Sequence, residues 1–181
     1  EIRRYITHGA TMLSSTVIGE TPVTPTSSTS YSSTVWSEAS MNDYLEEREE
    51  DYAIPVIQAI KKAASGLGIE YTFSQHTKMP GIYFRAEDML LFHICCWSKA
   101  GKDICTAEFW VKNLLSLPGM SLNEKDLRDM ICGIPQKYEA EKDGLLWNTP
   151  NYLHIEMKAL TDSKNLQHFI CTMKALYEML L

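Results

Sequence analysis

The chain has 181 residues, 45 % of them hydrophobic and 22 % charged, and a formal charge of −6. These proportions belong to soluble globular proteins and exclude a fibrous or repetitive one. The acidity excludes a general nucleic-acid binder built on clustered Lys and Arg, and no apolar run approaches the roughly 18 residues that span a bilayer.

Between Gly9 and Ser37 the only charged side chain is Glu20, and half of the 34 residues from Thr7 to Ser40 are Ser or Thr. With so few clustered apolar groups, burial cannot offset the entropy of ordering the backbone. Residues 1–40 are therefore expected to be a flexible polar arm, and 41–181 a single domain of about 140 residues. Thr21-Pro22 and Thr24-Pro25 lie in the arm. Thr21 and Thr24 are candidate phosphoacceptors for a proline-directed kinase, against the plainer reading of a linker. The first residue is Glu1 rather than Met, which is read as the mark of a piece of a longer chain.

Ser40 or Asn42 is expected to cap a helix whose first turns hold Asp43, Glu46 and Glu47. Pro55 either kinks that helix or begins a second one. From Val56 the stripe Val56, Ile57, Ile60, Ala63, Ala64 and Leu67 predicts a helix that Gly66 and Gly68 stop. Residues 69–73, 81–85, 89–97 and 104–111 are rich in aromatic and branched side chains and separated by turn signals, so they read as an antiparallel meander. Residues 113–133 read as helical, with Ser121 and Glu124 in a capping box, and 137–143 as a charged surface loop. Residues 152–160 alternate with period two, a strand with one dry face. Asp162 or Ser163 then opens a last helix, and its stripe of Leu166, Phe169, Ile170, Met173, Leu176, Tyr177 and Leu180 has to dock on the sheet or on another chain. The expected fold class is α+β, an antiparallel sheet of four to five strands packed by an N-terminal helix and a C-terminal amphipathic helix.

Five cysteines, Cys95, Cys96, Cys105, Cys132 and Cys171, lack paired spacing and point to a reducing, intracellular and cytoplasmic setting. His76, His93, His154 and His168 do not fall at a metal-site spacing and His8 lies in the arm, so neither a metal centre nor a cofactor is expected. His93 reads as a hydrogen-bonded core or half-buried histidine. Glu156-Met157-Lys158 on a predicted strand resembles the acid-x-Lys element of PD-(D/E)XK nucleases. In that reading Glu156 and Lys158 act with Asp103 or Glu108 around Mg²⁺. Against it, a helix and a loop intervene here where that family has a short turn, and a solvated, salt-bridged strand face is the plainer reading.

The run Ile54-Pro55-Val56-Ile57-Gln58-Ala59-Ile60-Lys61-Lys62, followed by Gly68-Ile69-Glu70-Tyr71, by Gly81-Ile82-Tyr83-Phe84-Arg85-Ala86-Glu87-Asp88 and by Ala107-Glu108-Phe109-Trp110, resembles the KA1-type domain. Such domains close several Ser/Thr kinases, including the AMP-activated kinase family. The resemblance covers 54–112 and 152–181, and residues 113–150 have no counterpart in it. It implies a non-catalytic interaction or regulatory module that docks on a partner subunit or holds a kinase domain in check. Lys61, Lys62, Arg85, Trp110, Phe169 and Tyr177 are the candidate contacts. The expected partner is a protein or a second copy of the chain, with no nucleic acid, and the acidic balance disfavours an anionic membrane. Beside the nuclease stands one more alternative, a viral or bacterial assembly adaptor or secretion-type chaperone, which size, acidity and the amphipathic helix also suit.

Overall fold

The structure is a computed structural model that describes residues 2–7, 10–15, 35–75, 77–99, 102–133 and 151–181, with the backbone alone at 2–7, 10–15, 98–99 and 102–103. The chain divides into two compact units, Glu1–Ser30 and Tyr31–Leu181. In the first, β1 (Ile2–Thr7) and β2 (Ala10–Ser15) pair antiparallel, Ile2 opposite Ser15. Strand pairing thus occupies one end of the expected arm, while Thr21 and Thr24 lie outside the described residues, as does the expected loop at 137–143.

The second unit opens with α1 (Glu38–Glu46) and α2 (Ala53–Leu67). The cap of α1 is Ser37, not Ser40 or Asn42. The Ser37 hydroxyl accepts the Ser40 N–H while the Ser40 hydroxyl accepts the Ser37 N–H at 2.9 Å, a reciprocal box in which Ser40 takes the place usually held by Glu. Pro55 falls in the first turn of α2, where its missing N–H costs nothing, so it begins a helix rather than kinking one. Gly68 ends α2 in the left-handed conformation at φ 83°, which glycine adopts without strain. Gly66 lies inside the helix with open space where a Cβ would go. Gly66→Ala is therefore expected to stabilise the protein by about 0.5–1 kcal/mol, read as a higher urea midpoint.

Five strands follow the meander expectation: β3 (Glu70–Phe73), β4 (Gly81–Ala86), β5 (Met89–Lys99), β6 (Lys102–Trp110) and β7 (Tyr152–Glu156), all antiparallel and adjacent in that order. Between β6 and β7 lie α3 (Val111–Leu115) and α4 (Glu124–Ile131). The single helical stretch read over 113–133 is thus two short helices, because Pro118-Gly119 cannot continue one. The cap of α4 is Asn123, which accepts the Asp126 N–H, and not Ser121. The chain closes with α5 (Ser163–Leu180), capped by Asp162.

The core lies between the sheet and the apolar stripes of α2 and α5. Phe92 sits at its centre, stacked on Phe84 at 4.5 Å between ring centroids and edge-on to Phe169 at 5.2 Å. Two expected partner contacts are removed by this packing. Phe169 is fully buried in the core, and Lys61 is buried with its ammonium 2.7 Å from Glu38 and above the Tyr71 ring. The aliphatic stem of Lys61 shares the apolar stripe of α2 while its head finds an acid, so the charge is spent inside the fold. Lys62 is exposed, and Arg85 and Tyr177 are half-buried. Among the described residues, no helix is long and apolar enough to cross a membrane.

Candidate functional site

Strand alternation puts Phe92, Ala107 and Ile155 on the helix-packed face and, between them, Tyr83, His93, Cys95, Glu108, His154 and Glu156 on the opposite face. The register aligns four of these in one row across the sheet: Tyr83 opposite His93, His93 opposite Glu108, and Glu108 opposite His154. The next row holds Cys95 opposite Thr106 and Thr106 opposite Glu156. Neighbouring strands are about 4.8 Å apart, so residues so paired are in contact.

The outer face of a sheet is usually wet, yet His93, Glu108 and His154 are only 8 %, 4 % and 3 % exposed. Aromatic side chains account for this. The Tyr83 ring stacks on His93 at 5.3 Å, Trp110 stands edge-on to it at 5.7 Å, and Trp97 meets His154 at 5.9 Å. The carboxylate of Glu108 lies between the two imidazoles, Oε1 3.4 Å from His93 Nδ1 and Oε2 3.3 Å from His154 Nδ1, and Oε1 also accepts the Trp110 indole N–H. The Nδ1 of His93 is shut off from water and makes no hydrogen bond among the described residues.

Burial governs the electrostatics. It pushes His93 down to about 4, with the neighbouring His154 adding to the shift, and His154 down to about 4. It raises Glu108, an effect that the Trp110 N–H opposes, and it pushes the Cys95 thiol far up, with Glu108 adding to it. Removing charged forms from water disfavours them whatever their sign. At neutral pH both imidazoles are therefore uncharged and Cys95 is a thiol. Beside the row a groove of about 250 Å³ is lined by Thr77, Lys78, Met79, Tyr83, His93 and Trp97, among others.

The residues read as a nuclease site are only partly brought together. Glu156 shares the outer face with Glu108, and burial raises its carboxyl, but β7 ends there. Lys158 is exposed in a helical turn before a 3-10 turn at Ala159–Thr161, so the strand predicted over 152–160 stops short and Glu156 and Lys158 are not alternate residues of one strand face. Asp103 pairs with Ser98 at the hairpin end of β6, five residues and about 17 Å along the strand from Glu108.

The meeting of His93 and His154 on Glu108 corrects the reading of the histidines as scattered. One signal for half of it was present: a hairpin turning at 99–102 sets residues equally distant from the turn opposite one another, and that rule pairs His93 with Glu108. No local pattern reaches His154, which arrives on a strand two helices later. Compared with protein families, with curated proteins and with solved structures, the chain matches none, so the chemistry of this face rests on its own residues.

Proposed function

We propose that the chain is a non-catalytic protein-interaction or regulatory module, as its KA1-like resemblance implies, and that its partner is a protein seated on the outer face of the sheet. One observation carries the reading. Trp97 and Tyr152 stand on that face with 38 % of their surface in water each, flanked by half-buried Tyr83 and Trp110. Trp and Tyr in such clusters are the residues that dominate protein interfaces, because they bury much area for little lost conformational freedom. Of the contacts expected from sequence, Trp110 and Arg85 belong to this surface. The Arg85 guanidinium lies 5.1 Å above the Tyr83 ring and donates to the Thr72 hydroxyl at 3.0 Å. The order of elements from α2 through the meander to a closing helix is also the order that the resemblance implies.

We place the module inside the cell. Cys96 and Cys105 face one another across β5 and β6 as free, buried thiols, an arrangement suited to a reducing compartment.

A photo-crosslinking amino acid at position 97 or 152, introduced in the native host, should yield a discrete adduct with another protein, and one at Glu47 or Lys62, exposed on the helical side, should not. An adduct of twice the chain's mass would identify a second copy as the partner. Adducts of equal yield at all four positions, or at none, would refute the assignment.

A further inference from the structure

We propose that His93, Cys95 and Glu108 form a binding site for a divalent transition-metal ion of the zinc class, and that His154 positions the Glu108 carboxylate. One donor atom from each of the three lies within 4.8 Å of the others. Ligand bonds of about 2.0–2.3 Å let a single ion bridge atoms so spaced with small side-chain rotations. The three come from one hairpin: His93 and Cys95 are alternate residues of β5 and share a face, and Glu108 stands opposite His93 on β6. A buried imidazole nitrogen with no hydrogen bond is costly unless something occupies it, and His93 Nδ1 is in that state.

The donor set selects the ion. Imidazole nitrogen and thiol sulfur suit zinc and its neighbours, whereas Mg²⁺ and Ca²⁺ demand oxygen. The neutral imidazole of His93 is the form that ligates. Cys95 binds as thiolate, releasing its proton to solvent as the ion enters. His154 Nδ1 lies 3.3 Å from one oxygen of Glu108 and the Trp110 N–H donates to the other, contacts that hold the carboxylate in place as outer support does for a metal-bound one. His93 and Cys95 also line the groove, which gives the ion its way in, and three protein ligands leave a coordination position for water.

The test uses the full chain, stripped with chelator and titrated with Co²⁺. Binding of a single equivalent should bring visible ligand-field bands and an ultraviolet thiolate-to-cobalt band. Cys95→Ser should abolish the thiolate band. Cys171→Ser, at an exposed thiol on α5, should leave it intact. His154→Gln should keep the band while weakening affinity about 10–100-fold, which separates a positioning role from ligation, and circular dichroism reports whether each variant is folded. Absence of Co²⁺ binding by the unsubstituted chain, a thiolate band that survives Cys95→Ser, or one lost in Cys171→Ser would overturn the proposal. Should Cys95→Ser not fold, alkylation of the unsubstituted chain decides: Zn²⁺ should protect Cys95, and equal labelling with and without Zn²⁺ overturns the site.

Discussion

Replacing Phe92 with alanine is expected to destabilise the domain by about 3–5 kcal/mol, a large part of the roughly 5–15 kcal/mol that holds a typical protein folded. Phe92 is fully buried, and its ring touches three other phenylalanines from three elements: Phe84 of β4, Phe109 of β6 at 5.3 Å, and Phe169 of α5. Truncation leaves a cavity that cannot collapse without moving two strands and a helix together, so the loss exceeds simple transfer of the removed atoms. Phe92→Leu keeps most of the volume and should cost well under half as much. Urea denaturation of the two variants checks this. Equal losses would mean that the site relaxes freely and that the aromatic cluster is not what fixes α5 on the sheet.

Gly119→Val is the second large effect, expected to cost about 2–4 kcal/mol through backbone strain and overpacking. Gly119 holds φ at 86°, and a Cβ there would lie 2.8 Å from the Met179 carbonyl oxygen. The connection between α3 and α4 crosses the last turn of α5 so closely that only a hydrogen fits. A branched side chain has to displace that turn or leave the left-handed region. The opposite sign expected for Gly66→Ala provides the control, since both substitutions remove a glycine and only one meets an obstacle. A thermal midpoint for Gly119→Val equal to that of the unsubstituted protein would show that the crossing is looser than described.

The meander and the last helix were legible because their patterns are local. Period-two alternation in β4 and β6 and the stripe from Leu166 to Leu180 each report which side is dry, and the sheet with its helices is what those stripes require. The division of 113–133 was also written in the chain, at Pro118-Gly119, but the apolar positions Leu122, Leu127, Met130 and Ile131 behind it were extended over the whole stretch. The end of β7 was harder. Leu153, Ile155 and Met157 continue the alternation, Met157 is buried like the others, and its N–H still reaches the Cys105 carbonyl at 2.9 Å. The chain turns at Met157-Lys158, so a dry residue one step past the strand extended the predicted strand too far.

The candidate site was less visible, for a physical reason. Its residues are single polar side chains in apolar strands, and what joins them is register, which a slip of one residue would reverse. His93 and Glu108 belong to one hairpin and His154 to a distant strand, so their meeting is a property of the assembled sheet. The strand aromatics divide between the two faces of the sheet. Phe84 and Phe109 fill the core, while Tyr83 and Trp110 shelter the polar row.

The position of β7 at the sheet's margin has a consequence for how the molecule is made. During synthesis the four strands β3 to β6 leave the ribosome in the order in which they pair, each against its immediate predecessor, so they can zip up with little loop-closure entropy. The nascent sheet then ends at β6, whose outer N–H and C=O groups have no neighbour until β7 emerges after two further helices. For that interval the growing chain offers a nine-residue template to any extended peptide nearby. Glu108 stands on this open margin, a charge where a passing strand would dock, until His154 of the last strand takes its place opposite.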